Sequence, residues 1–177
     1  MKKQYNITAS RHGININNAG LVLANNFIKI LFESSGITAD NKFLNATVQG
    51  DAVHYLQYLV TGLSNPDETF LPLYNLLCGL PPQQPVPAGI EIPESHIELI
   101  EELIKAIIGY WPSIGKTSVD GFRTSFLARD GILSEQDDKW ELTVERKTHD
   151  VLLNTFPFSF SLINYPWMNK PLYVNWS

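Results

Sequence analysis

The hydrophobic pattern of this 177-residue chain changes its period once, near residue 131. Before that point apolar residues recur every three or four positions, which is typical of amphipathic helices. After it, apolar and polar residues alternate, which is typical of strands with one buried face. The alternating runs are Trp140 to Val144, Phe156 to Leu162 and Leu172 to Trp176. The pattern predicts an α+β fold, with about five helices followed by a small three-stranded antiparallel sheet at the C-terminus.

The helical and strand parts are expected to form one domain. The composition shows no sharp break between them, and the chain is long enough to bury a sizeable core. We assign residues 1–13 to an irregular N-terminal arm and residues 14–177 to a single α+β domain. Within that domain the helical part covers residues 14–131 and the sheet part covers residues 138–177.

The first predicted helix carries more apolar surface than one core face needs. Asn17 or Asn18 can cap its start, it runs to about Ser34, and Gly36 lies just beyond as a stop. The residues predicted to face the core are Leu23, Phe27, Ile30 and Leu31. Four further apolar residues widen this face until it nearly surrounds the helix, namely Leu21, Val22, Ile28 and Phe32.

This second set is a candidate interface, because exposed apolar patches usually mark contacts between proteins. The set is predicted to join copies of the chain in an assembly. The alternative is that the N-terminal arm and a proline-rich connector at residues 81–87 cover the helix within one monomer.

Three more helices follow from apolar spacing and from glycine stops. The second is predicted from Asp51 to Thr61 with Gly62 after it, and the third from about Phe70 to Cys78. The fourth, from Glu94 to Ile108, has the clearest apolar stripe. That stripe consists of Ile97, Ile100, Ile104, Ile107 and Trp111.

A last short helix is predicted between Thr117 and Gly131, with Thr117 and Asp120 as a capping box and Gly131 as its stop. The preceding Gly115-Lys116-Thr117 superficially matches a phosphate-binding loop. That motif needs a glycine at position 110, where this chain has Tyr110, and it needs a preceding strand rather than a helix. We therefore interpret the tripeptide as a turn between helices.

The chain is predicted not to be an enzyme, and no cofactor or metal site is predicted. Metal ligands usually recur at short spacing, whereas the four histidines are far apart. Cys78 lies at a helix end and is interpreted as a small core residue. The serines lack a nucleophile-elbow pattern. The histidines are His12, His54, His96 and His149.

Charge and hydropathy exclude two further classes of protein. A formal net charge of −5 argues against a dedicated nucleic-acid binder, which usually presents a basic surface. No stretch approaches the run of about twenty apolar residues that crosses a membrane, so no membrane insertion is predicted. The polar start of the chain has no apolar signal core, which predicts cytoplasmic synthesis.

An ordered series of short motifs resembles the C-terminal region of the tape measure proteins of contractile injection systems. These bacterial, phage-tail-like particles have a contractile sheath around an inner tube. The resemblance extends from about Ile14 to Trp176. The motifs are Asn18-Ala19-Gly20-Leu21-Val22-Leu23, Val53-His54-Tyr55-Leu56-Gln57-Tyr58-Leu59-Val60-Thr61-Gly62, Leu76-Leu77-Cys78-Gly79-Leu80, Thr117-Ser118-Val119-Asp120-Gly121-Phe122-Arg123, Phe126-Leu127-Ala128-Arg129-Asp130-Gly131 and Pro166-Trp167-Met168.

The resemblance implies a structural part of the particle, with no catalytic residues to carry over. It implies inner-tube and cap or terminator proteins as partners, a symmetric homo-oligomer, assembly in the cytoplasm and release within an extracellular particle. Family members usually carry a long region before this one. Even a fully helical chain of this size reaches only about 270 Å, so a ruler role is not expected of these residues alone.

We therefore expect a role at one end of the inner tube, as a cap adaptor, a plug or the terminal domain of a tape measure. The competing interpretation is a cytoplasmic interaction module whose apolar grooves bind a peptide or a partner helix. Neighbouring genes that encode tube and sheath proteins would distinguish the two.

Overall fold

The structure, a computed structural model, describes residues 13–64 and 71–177. The predicted N-terminal arm lies outside these residues except for Gly13. The α-helices are α1 (Asn25–Ser34), α2 (Ala46–Thr61), α3 (Leu71–Leu77), α4 (Glu94–Gly109) and α5 (Val119–Phe122). The strands are β1 (Ile14–Ile16), β2 (Thr38–Ala39), β3 (Lys42–Phe43), β4 (Gly131–Glu135), β5 (Trp140–Val144), β6 (Leu162–Ile163) and β7 (Leu172–Asn175). The 3-10 segments are Ala19–Ala24, Pro112–Ile114 and Thr148–Thr155, and Arg123–Leu127 forms a π-helical turn.

The fold is α+β, but the prediction of a three-stranded antiparallel sheet at the C-terminus is wrong. The main sheet has five strands in the order β1-β4-β5-β7-β6, and β2 and β3 form a separate two-stranded sheet. The main sheet is mixed, because β5 and β7 are parallel whereas its other neighbouring strands are antiparallel. The long connection between β5 and β7 allows this parallel pairing, which a tight hairpin cannot provide.

Two strands of the main sheet, β1 and β4, were not predicted. Gly131 is the first residue of β4 and not the stop of a helix. A Cβ atom on Gly131 would lie 2.8 Å from Ala19 Cβ and 2.9 Å from the Thr143 carbonyl oxygen. Gly131 is therefore needed for close packing between the 3-10 segment that begins at Ala19 and β5.

The run from Phe156 to Leu162 is largely not a strand. Phe156 caps the preceding 3-10 segment, and only Leu162 belongs to a strand, β6. The phenylalanines pack edge to face instead, with Phe156 against Trp111 at 4.9 Å and Phe158 against Phe27 at 4.9 Å between ring centroids. Phenylalanine and other residues alternate here because half-buried and exposed positions alternate along an irregular segment. This segment packs on α1 and the end of α4.

The helices α2 and α4 form the centre of the helical layer. Val53, Leu56, Leu59 and Val60, the residues of α2 predicted to point inward, are all buried, and Gly62 ends the helix with a φ of 74°. The helix begins at Ala46, earlier than predicted, because the Asn45 side chain accepts a hydrogen bond from the Val48 amide at 2.9 Å. The α4 stripe is buried from Ile100 to Trp111, while Ile97 is half-buried.

The start of α5 differs from its prediction by one residue. Ser118, not Thr117, is the N-cap, and its hydroxyl oxygen accepts a hydrogen bond from the Gly121 amide at 2.9 Å. The Thr117 hydroxyl instead donates to the Ile114 carbonyl oxygen at 3.2 Å. The helix continues directly into the π-helical turn, in which Arg123 donates to the Tyr58 and Leu59 carbonyl oxygens at the end of α2.

We expect Ser118→Ala to lower the free energy of unfolding by about 1 kcal/mol, because the substitution removes the N-cap. Chemical denaturation measures the difference. Ser113→Ala, the same change at an exposed position of the neighbouring 3-10 segment, is the control and should stay within about 0.5 kcal/mol of wild type. A larger loss for Thr117→Ala than for Ser118→Ala would contradict this cap assignment.

Candidate functional site

The four candidate interface residues lie in the interior of the single chain. Leu21 and Val22 belong to the 3-10 segment Ala19–Ala24, and Ile28 and Phe32 belong to α1. All four have 0% of their surface exposed. The Phe32 ring packs against Trp167 at 6.0 Å and Phe43 at 5.9 Å. A contact between copies stays a prediction, but in this conformation these side chains are not available to make it.

One of the four residues predicted to face the core from the first helix is exposed. Ile30 was expected in the core but is 57% exposed, whereas Ile28 and Phe32 are fully buried. The cause is the 3-10 geometry of Ala19–Ala24, which has about three residues per turn instead of 3.6. A single helical period drawn through both segments therefore misplaces Ile30, whereas Leu23 and Leu31 are buried as predicted and Phe27 is half-buried.

The outer face of the main sheet carries exposed apolar side chains. Strand alternation buries Leu133, Leu142 and Leu172 on the inner face, towards the helices. On the opposite face Ile132, Leu162 and Tyr173 are 44–47% exposed. The Lys139 ammonium group lies 4.8 Å from the centre of the Tyr173 ring.

A groove of about 480 Å³ lies at one end of this sheet, where the end of β1, the start of β4 and the end of β5 meet. Ile132 and Val144 contribute apolar surface, and Asp130 and Glu145 contribute carboxylates. Asn17 also lines the groove, and its buried side-chain oxygen accepts no hydrogen bond from the described residues. The groove therefore combines apolar surface with negative charge.

A buried ion pair lies next to the groove in the chain, since Arg129 directly precedes the lining residue Asp130. Arg129 donates to Asp150 at 2.5 Å, and the two side chains are 0% and 2% exposed. The same carboxylate oxygen also accepts hydrogen bonds from the Lys147 amide and from the Trp176 indole, each at 2.9 Å. Arg129 also donates to the Ser125 and Glu145 carbonyl oxygens.

These contacts decide the charge of Asp150. Burial raises the pKa of its carboxyl group, but the hydrogen bonds from Arg129, Lys147 and Trp176, together with the Arg129 charge, hold that pKa below its ordinary value. Asp150 is therefore ionised at neutral pH. The pair connects the loop before β4, the 3-10 segment Thr148–Thr155 and the end of the chain. Its role is therefore structural.

Sequence analysis missed both the groove and the ion pair. The strand β4 could have been found, because two runs that contain apolar residues flank the polar turn Gln136–Lys139, which is a hairpin signal. No sequence signal identifies Asp150 as the partner of Arg129, because the two are separated by 21 positions and are joined only by the fold.

The other residues considered for chemistry are occupied in structural contacts. His54 is fully buried between the Ser64 and Pro87 carbonyl oxygens, and His96 hydrogen-bonds the Tyr55 hydroxyl. Burial raises the pKa of the Cys78 thiol, which disfavours a thiolate nucleophile. Within residues 13–64 and 71–177 no three side chains of the metal-binding types are grouped as a metal site would require. His12 lies outside those residues.

Gly115 follows the 3-10 segment Pro112–Ile114, so the preceding element is not the strand that a phosphate-binding loop needs. Among the helices in the described part of the chain, none is both long enough and apolar enough to span a bilayer.

Comparison with protein families gives a match that covers nearly the whole chain. The family model described as "contractile injection system tape measure protein" matches residues 2–176. Comparison with curated proteins and with solved structures gives no match.

Proposed function

Because this chain belongs to the contractile injection system tape measure protein family, we propose that it acts at one end of the inner tube of such a particle. The family is structural, and membership implies contact with other components of the particle. The finer proposal is that this region is a cap adaptor, a plug or the terminal domain of a tape measure. Its partners are then the inner-tube and cap or terminator proteins.

The observation that carries this proposal is the family match over residues 2–176. The size of the folded region supports the position at a tube end. A compact fold of this length has a radius of gyration of about 16 Å, so it contacts one place on a tube rather than spanning a tail. The surroundings of a tube are rotationally symmetric, which favours several copies of the chain.

The site chemistry supports a structural role in place of catalysis. Cys78 and His54 are buried, and His54 and His96 are hydrogen-bonded within the fold. The exposed sheet face, with Ile132, Leu162 and Tyr173, offers a surface for a neighbouring component.

We expect labelled copies of the chain to appear at one end of the tube. The experiment fuses a compact density label to the chain, purifies assembled particles and images them by electron cryomicroscopy, with a labelled sheath protein as the positive control. Label at a single tube end supports the proposal. Label distributed along the particle would refute the position at a tube end. Intact particles that contain none of the chain would refute the proposal and favour the interaction module.

A further inference from the structure

A row of five aromatic rings lies at the surface of the described fold. Neighbouring rings of the row contact one another, with distances between ring centroids of 5.9, 5.7, 5.7 and 5.7 Å. The ring at one end, that of Tyr110, is 66% exposed, and the other four are half-buried. The row therefore presents one continuous aromatic surface. In order, its members are Tyr110, Phe158, Phe156, Phe160 and Trp176.

The segments that supply this aromatic row carry no charged side chain. Residues 106–115, 151–169 and 171–177 contain no aspartate, glutamate, lysine, arginine or histidine. Aromatic residues are enriched, and charged residues are depleted, at the core of protein–protein interfaces. The aromatic row therefore has the composition of an interface core.

The backbone that carries the aromatic row is fixed by hydrogen bonds to other elements. The Asn25 side chain, at the start of α1, donates to the Ser159 carbonyl oxygen at 3.1 Å. The Val174 amide in β7 donates to the Ser161 carbonyl oxygen at 2.9 Å. A surface that is already ordered loses little conformational freedom when it binds, which favours a stable contact.

The two ends of the aromatic row are chemically complementary. At the Trp176 end, Arg146 lines a pocket of about 180 Å³ together with Phe160 and Trp176. Arg146 is exposed and has no ion-pair partner within residues 13–64 and 71–177. At the other end lies the exposed ring of Tyr110. Because a guanidinium group binds the face of an aromatic ring, the surface fits a second copy of itself turned through half a rotation.

We propose that two copies of the chain dock through the aromatic row across a two-fold axis, with Arg146 of each copy over Tyr110 of the other. In such a contact the two rows run antiparallel, so their unlike ends meet. The formal net charge of −5 makes copies of the chain repel one another, and a contact without charged side chains is where this repulsion is weakest. The contact does not depend on the position proposed for the chain on a tube.

Disulfide trapping of the purified chain tests this proposal. Ser159 is exposed near the middle of the aromatic row, so the two-fold axis brings Ser159 of both copies close together. We expect Ser159→Cys to form a covalent dimer under mild oxidation at least about tenfold faster than Ser95→Cys, because the docked copies hold the two thiols together. The control position, Ser95, is exposed in the first turn of α4, at the opposite end of that helix from Tyr110. The native Cys78 is fully buried and does not compete.

Sedimentation equilibrium tests the contact between Arg146 and Tyr110. We expect Arg146→Gln to raise the Kd of the dimer about tenfold, because it removes two symmetry-related cation–π contacts. Lys147→Gln makes the same change in charge at the neighbouring exposed position and should leave the Kd within about twofold of wild type.

Preferential trapping of Ser159→Cys, together with weakening by Arg146→Gln alone, supports the proposal. A wild-type chain that is monomeric at every concentration would overturn it, and so would equal trapping of the two cysteine variants or equal weakening by the two charge variants. Trimers or larger rings would also overturn it, because a two-fold contact closes at two copies.

Discussion

Replacing Arg129 by methionine should lower the free energy of unfolding by about 3–5 kcal/mol, because the substitution leaves the Asp150 carboxylate buried without its cation. The Asp150 side chain is only 2% exposed, so water cannot replace the lost partner. Two donors remain, the Lys147 amide and the Trp176 indole, and neither carries a charge. Chemical denaturation at neutral pH measures the loss.

The double variant Arg129→Met with Asp150→Leu is the matched control. It removes both charges and keeps most of the volume, and such replacements are often neutral or stabilising. We therefore expect the double variant to recover most of the stability that Arg129→Met loses. A single variant within about 1 kcal/mol of wild type would contradict the role given to this pair.

The same pair predicts a dependence of stability on pH. The pKa of Asp150 in the folded protein lies below its ordinary value of 3.8. Its stabilising contribution is therefore complete at pH values above 3.8 and disappears as the pH falls through the folded-state pKa. The Asp150→Leu double variant should lack this component of acid destabilisation.

Phe32→Asp should abolish cooperative folding, because it places a charge at a position with 0% exposure. Removing a buried phenylalanine side chain alone typically costs about 3–5 kcal/mol, and an unpaired buried carboxylate adds to that cost. Ile28→Asp should act in the same way. Circular dichroism and thermal melting of the purified variants measure the effect.

Ile30→Asp is the control on the same helix, since Ile30 is 57% exposed, and it should change the free energy of unfolding by no more than about 0.5 kcal/mol. Ile28→Val is a milder variant that should still fold, with an expected decrease of about 1 kcal/mol in the free energy of unfolding. If Phe32→Asp instead gave a folded monomer that no longer entered the particle, the interface predicted from sequence would be supported.

The protein family and the helices and strands with the clearest hydrophobic period could be predicted from the sequence. The resemblance to the tape measure family is confirmed by the family model. Helix α4 and the buried alternation of β5 follow from their periods, because each is long or regular enough for one face to dominate. Gly62 was predicted from sequence to end α2, and its φ of 74° is one that glycine adopts without steric cost.

The sequence predictions were wrong where the hydrophobic period of a segment does not determine which other segment packs against it. Phe156, Phe158 and Phe160 alternate in exposure like a strand. Phe156 and Phe158 instead pack against aromatic rings of α1 and of the α4 end, and Phe160 packs against Phe156 and Trp176. Gly131 has the sequence context of a helix stop, yet it is the first residue of a strand. A glycine is needed at this position because Ala19 packs too close to allow a side chain.

The sequence by itself determined the α+β class, the helices with clear apolar stripes, the strand β5 and the family. The tertiary structure alone decided the order and direction of the strands, the burial of Leu21, Val22, Ile28 and Phe32, the pairing of Arg129 with Asp150 and the groove. The physical reason is that periodicity records only which face of an element avoids water. Which surfaces then meet depends on contacts between residues far apart in the chain.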